Sequence, residues 1–203
     1  MKRFEIRVLR FLFPHWVWTN EGSSGVTITL DDGPHPVSTP IALNVFKKHG
    51  IKAAFFCIGS NAEKYPHLLE QILKDGHVVG NHTHLHENGW QTKPDTYLAS
   101  IDRCAAVVES RYFRPPYGKA SFFSTRRILN RGYRVVMWSW LSYDFSAAMT
   151  RDKFQHRLKK ISPGDILVFH DNEKTSHKIG DFLEITINHL MAHQITIDPL
   201  NIP

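Results

Sequence analysis

Val26-Thr27-Ile28-Thr29-Leu30 runs without a break into Asp31-Asp32-Gly33-Pro34. The first part is β-branched and apolar in character and predicts a buried strand. The Gly-Pro pair ends it in a turn. Working outward, Pro40 to Lys48 predicts a helix, with Ile41/Val45 and Ala42/Phe46 as apolar pairs and Gly50 as the stop. Lys52 to Ile58 predicts the next strand, and Asn61 to Lys74 a helix closed by Gly76. Short strands are expected at residues 77–80 and ending at Phe113, with longer ones at 133–140 and 165–169. Helices are expected at 96–110, 121–130, 151–161 and 182–193. This alternation argues for an α/β fold with a parallel sheet and helices outside, as an open sheet or a barrel.

The polar clusters fall at particular places in this pattern. Asp31-Asp32, the His82 to His86 run, Arg114, Asp144 and His170 each follow a predicted strand. In parallel α/β folds the carboxyl ends of the strands share one face, and sites form there. Clusters far apart in sequence are therefore expected to meet.

Composition sets the outer limits. A chain of 203 residues, 42% hydrophobic and 22% charged, is that of a globular domain. The net charge of +6 favours an anionic partner, but the basic residues are scattered, and nucleic acid is not expected. Cys57 sits in an apolar run and reads as a core residue, and its distance in sequence from Cys104 licenses no disulfide. Residues 1–20 are basic and aromatic, with Lys2, Arg3, Arg7, Arg10, Trp16 and Trp18, and are broken by Pro14. They are too short and interrupted for an export signal or a span. They are expected to pack on a domain formed by 21–203, or to rest on a membrane surface. By sequence the location is cytoplasmic or membrane-peripheral, and a monomer is expected.

His82 and His86 are four apart, a spacing that puts two imidazoles on one face of a helical turn, within reach of one ion. By the same spacing His84 points elsewhere. Two adjacent carboxylates at the end of an apolar strand are costly unless something binds them, although an Asp turn or helix cap is the plainer account. One carboxylate could complete a two-His-one-Asp site and the other serve as general base. Such donors suit zinc, and cobalt or nickel as well. Two prolines and a glycine fix the backbone around Arg114, which could orient a carboxylate. His170, at the mouth of an apolar strand, is placed to act as a general acid.

Together these stretches resemble the polysaccharide deacetylase family, the NodB-homology domain of carbohydrate esterase family 4. The matching motifs are Thr29 to Pro34 (TLDDGP), His82-Thr83-His84-Leu85-His86, Arg114 to Gly118 (RPPYG), and Ile166 to His170. The resemblance implies a distorted (β/α) barrel of about seven strands. It implies hydrolysis of the N-acetyl amide of a sugar in a polysaccharide or oligosaccharide, outside the cytoplasm. It assigns Asp31 as base, Asp32, His82 and His86 as ligands of a divalent ion, and Arg114 as the partner of Asp31. The Tyr117 backbone N–H would stabilise the oxyanion, and His170 would protonate the leaving amine.

One motif departs from the family pattern. In Trp138 to Phe145, Leu141 and Phe145 stand where the family often has Asp and Trp. The carboxylate expected to support His170 then falls to Asp144, unless Asp144 caps a helix or pairs with Arg114. Val168 replaces the usual Leu of the acetyl pocket. Trp138, Trp140, Tyr143 and Phe145 would stack on sugars or fill the core. A hydrolase of a small amide, or a carbohydrate-binding relative without catalysis, are the competing expectations.

Overall fold

A computed structural model of the chain describes residues 3–20 and 22–202. Met1, Lys2, Glu21 and Pro203 lie outside the described residues. The chain begins with α1 (Arg3–Leu12) and β1 (Trp16–Val17), then β2 (Thr27–Asp31), α2 (Ser38–His49) and β3 (Ala54–Cys57). Next come α3 (Gly59–Lys64), α4 (Pro66–Lys74), β4 (Val78–Asn81), α5 (Pro94–Ala105) and β5 (Tyr112–Phe113). The chain closes with α6 (Phe122–Asn130), β6 (Arg134–Val136), β7 (Trp140–Leu141), α7 (Arg151–Leu158), β8 (Ile166–His170) and α8 (Ile179–Ala192).

The strands form one sheet in the order β1-β6-β5-β4-β3-β2-β8-β7, and every pairing in it is parallel. The sheet curls into an open, distorted barrel with eight strands rather than about seven. The additional strand comes from the N-terminal segment, where β1 pairs with β6 and Thr19 bridges Asp165 just ahead of β8.

The uniform apolar reading of residues 26–30 has a simple cause. Every residue of β2 is buried, because both faces of the sheet are covered. Ile28 and Leu30 pack with Phe55, Leu167 and Phe169 against Ala42 and Phe46 of α2 and Leu183 and Ile187 of α8. Thr27, Thr29 and Asp31 alternate to the other face, toward the bore of the barrel. Losing a ring such as Phe169 from the packed layer would cost about 3–5 kcal/mol. A second cluster joins Ile6, Trp16 and Trp18 to Tyr97, Phe113, Ile128 and Tyr133. The N-terminal segment is thereby fixed along the β5–β6 side.

The helix expected over 96–110 ends at Ala105, and two other expected elements are each broken in two. The helix expected over 61–74 is two helices, broken at Tyr65, whose φ of −127° and ψ of 58° lie outside the helical region. Pro66 imposes this, because a proline ring disfavours helical geometry in the preceding residue. The strand expected over 133–140 is also two pieces. Met137 N–H still bonds Val17 O, but Ser139 N–H bonds Ile166 O, so the chain crosses from the β1 side to the β8 side between them.

Candidate metal centre and its flanking acid and base

Asp31, Asp32, His82, His86, Arg114, Asp144 and His170 all leave the carboxyl ends of β2, β4, β5, β7 and β8, and they converge on one face of the sheet. Asp32 has a left-handed φ of 82°, uncommon for a residue with a Cβ. That reversal lets two consecutive carboxylates serve one site. The strained turn is tied on several sides. Asn61 Nδ2 donates to Asp32 O at 2.8 Å, Asp32 N–H donates to Phe56 O at 3.2 Å, and Gly33 N–H donates to Asp171 Oδ1 at 3.1 Å. Burial pushes the Asp171 carboxyl up to about 8, outweighing its hydrogen bond from Thr39.

His82 and His86 do come together, with ring centroids 5.1 Å apart. They do so without a helical turn, which corrects the sequence expectation. Residues 82–86 form an irregular loop in which Thr83 (φ 61°) and His86 (φ 60°) are left-handed. The loop is held by its own polar groups. Asn81 Oδ1 accepts the Thr83 N–H at 2.9 Å, and Ser100 Oγ accepts the His84 N–H at 2.8 Å. His84 is buried, with Nε2 3.6 Å from Glu63, and so points away from the other two rings.

The donor set fits a metal ion. His82 Nδ1 lies 2.7 Å from the Arg114 carbonyl, which requires a proton there and leaves Nε2 as the free ligand atom. Asp32 Oδ2 accepts Asn172 Nδ2 at 2.7 Å. Asp32 Oδ1 is buried without a hydrogen bond, although it lies 3.1 Å from His86 Nε2 and 3.6 Å from His82 Nε2. One ligand atom from each of the three residues falls within 4.8 Å of the other two. Lone pairs that converge without bonding one another are what a shared cation requires. Burial raises the Asp32 carboxyl, but the imidazoles outweigh it and hold it well below the ordinary carboxylate range.

Arg114 lies in the bore, with 0% of its side chain exposed. Nη1 donates to Asp31 Oδ1 at 2.6 Å and to Thr29 Oγ1 at 2.7 Å, while Nε and Nη2 donate to the carbonyls of Val136 and Met137. Its guanidinium also stacks on Phe56, 3.9 Å from the ring centroid. These four acceptors offset part of the cost of its desolvation.

On the other flank, His170 Nδ1 meets Asp144 Oδ1 at 2.7 Å, and the His170 backbone N–H donates to Asp144 Oδ2 at 2.7 Å. Burial disfavours the charged imidazole, yet the Asp144 carboxylate outweighs it and raises His170 to about 9. Asp144 neither pairs with Arg114 nor caps α7, whose first turn is capped by Thr150. Tyr117 sits in a tight turn with φ 61° and ψ 7°, and its ring packs edge-on against His86 at 4.6 Å. Trp140 is a core residue against Phe154 and Phe169, and Trp138 is partly buried against the core. Tyr143 and Phe145 are exposed, and the Phe145 and His170 rings meet at 86° with centroids 5.1 Å apart.

Three contributors escaped the sequence reading: Thr29, Asp171 and Asn172. The signal for the last two was present in the polar run His170-Asp171-Asn172 after an apolar strand.

Comparison with known proteins agrees with this geometry. Residues 19–136 match the family model described as polysaccharide deacetylase. A peptidoglycan-N-acetylglucosamine deacetylase of Bacillus cereus is 31% identical over 151 residues, covering 71% of this chain and 55% of the relative. A chitooligosaccharide deacetylase of Azorhizobium caulinodans is 33% identical over 158 residues, covering 74% of this chain and 75% of the relative. The chain thus spans little more than half of the first relative's length. A solved peptidoglycan N-acetylglucosamine deacetylase, in complex with a naphthalenyl N-oxidanyl-benzamide, superposes with a TM-score of 0.88 at 26% identity over 94% of both chains. Family model, relatives and superposition agree, and the chain belongs to the polysaccharide deacetylase family.

Proposed function

We propose that this chain is a metal-dependent hydrolase that removes the N-acetyl group from an amino sugar within a glycan. The observation that carries the proposal is the pairing around the Asp32/His82/His86 set, with Asp31 held by Arg114 on one side and His170 held by Asp144 on the other. Those three residues would hold the divalent ion, and zinc suits two imidazoles and one carboxylate best. A cation bound there supplies Lewis acidity to an amide carbonyl and acidifies water.

The protein's own residues supply the proton transfers. Asp31, aimed by Arg114, takes a proton from the attacking water. The Tyr117 backbone N–H, presented by its left-handed turn, donates to the carbonyl oxygen as negative charge builds there. His170, held protonated by Asp144, gives its proton to the sugar nitrogen as the C–N bond breaks. Acetate and a free amino sugar are released. The exposed side chains of Tyr117 and Phe145 beside the site favour a glycan over a small enclosed amide, because they offer apolar surface that a sugar ring can contact.

The test is turnover by the zinc-loaded protein, read as acetate release from acetylated chito-oligomers and from peptidoglycan, formate release from formamide, and ring opening of a cyclic imide. Turnover of either glycan supports the reading. Turnover of the small amide alone, or of nothing, removes it.

A further inference from the structure

The three most exposed large apolar side chains among the described residues are Phe11, Phe123 and Phe122, at 85%, 73% and 75%. They share one neighbourhood outside the metal centre. Leu12 and Phe122 line a single groove between the α1–β1 connection and α6, and Phe11 and Phe123 are their chain neighbours. The Phe122 and Phe123 rings meet at 80°, with centroids 6.0 Å apart.

The charges around this groove have one sign. Arg126 and Arg134 line it, and no acidic residue does. Arg126 and Arg134 form no ion pair with any described residue, whereas neighbouring Arg127 and Arg131 are matched by Asp95 and Asp102. Apolar side chains that stay exposed next to unmatched arginines are the composition of a peripheral membrane contact.

We propose that this face docks on an anionic lipid bilayer. Phe11, Leu12, Phe122 and Phe123 enter the headgroup layer, and Arg126 and Arg134 take the lipid phosphates. No described helix is long and apolar enough to cross a membrane, so the contact is with its surface. A second copy of the chain fits less well, because a two-fold contact would set Arg126 and Arg134 against their own equivalents. A glycan fits less well too, since rings at 80° offer no flat platform. The proposal does not depend on the hydrolase reading.

Sedimentation of the full chain with vesicles tests it. Binding is expected to phosphatidylcholine vesicles containing about 30 mol% phosphatidylglycerol and not to pure phosphatidylcholine, and it should weaken at about 0.5 M salt. The pairs Phe11→Ser with Leu12→Ser, and Phe122→Ser with Phe123→Ser, should each weaken it by about tenfold or more. Arg126→Gln with Arg134→Gln, which leaves the apolar surface intact, should weaken it by about 25-fold and flatten its salt dependence. Equal affinity for both vesicle types overturns the proposal. So does full binding by the serine variants, a dimer that those variants abolish, or retention on insoluble glycan that they abolish while vesicles bind nothing.

Discussion

Asp144 grips His170 twice, through Nδ1 and through the backbone N–H, each at 2.7 Å. The carboxylate comes from a position three residues beyond Leu141, and the left-handed Tyr143 (φ 57°) turns the chain back to deliver it. A leucine at the family's usual Asp position therefore does not leave the imidazole unsupported.

The pair has a definite pH signature. In the metal-free protein His170 is raised from 6.5 to about 9, so the pair stabilises the fold fully below about pH 6.5 and loses that stabilisation as pH rises through about 9. Asp144→Asn should destabilise the metal-free protein at pH 6 and much less at pH 10. Imidazole NMR should show the His170 titration moved down. In the loaded enzyme the basic limb of the pH–rate profile should move to lower pH in the variant. An unmoved limb would mean that Asp144 does not set the proton affinity of the acid.

Asp31→Asn separates base from ligand. The variant should keep its metal and lose on the order of 10²–10⁴-fold in kcat. Metal analysis alongside acetate release checks both halves, and loss of the ion would reverse the assignment of the two aspartates.

His82→Ala with His86→Ala leaves only Asp32 of the donor set. It should bind no stoichiometric zinc, and added zinc should no longer raise its Tm. For the unaltered protein, zinc at 100 times its Kd should add about 2.7 kcal/mol of stability. Equal zinc-dependent stabilisation of both proteins would place the ion elsewhere.

Arg114→Leu leaves Asp31 buried without its cation. Breaking a buried ion pair from one side costs about 3–5 kcal/mol, readable as a lowered urea midpoint. Arg114→Lys should recover only part of this, since one ammonium cannot reach Asp31, Thr29 and two carbonyls together.

Gly33→Ala tests the turn beneath the metal ligand. A Cβ there would lie 2.1 Å from Asp171 Oδ2, so either the turn or the buried carboxylate must move. Zinc affinity, measured by competition with a chromophoric chelator, should fall at least about tenfold, as for other losses of support behind a metal ligand.

Much of this was legible in the sequence, and the exceptions have physical causes. Residues 26–30 announced a strand covered on both faces because no polar side chain interrupts the run except the two threonines, which turn into the bore. The apolar pairs of α2 and the stop at Gly50 were equally plain, and Gly50 takes the left-handed cap with φ 66°. The identity of the site residues followed from their positions after strands. The local geometry of the His82 to His86 loop did not, because left-handed Thr83 is held by the Asn81 side chain and left-handed His86 packs against Tyr117, and neither residue type advertises that conformation. The split of residues 133–140 was hidden for a related reason. Met137 and Ser139 bond to different neighbours across the sheet, and the apolar pattern is the same whether one partner is used or two. Tyr65-Pro66 did carry its break in plain view, but the apolar face of 61–74 continues across it.

Arg114 also bears on how the protein would respond to heat. Its guanidinium leaves the end of β5, reaches two carbonyls at the β6 edge, and ends on Thr29 and Asp31 of β2, so one side chain braces three strands across the bore. Among the described residues the end strands β1 and β7 do not pair, and the seam is crossed by the Thr19–Asp165 bridge and the hydrogen bond from Asn20 N–H to Gly164 O, so flexing is confined to the part of the seam beyond them. The brace couples this flexing to the aim of the base. Any opening wide enough to part β6 from β2 pulls Asp31 off its bearing, so activity and barrel closure should fail together on warming, ahead of the outer helices.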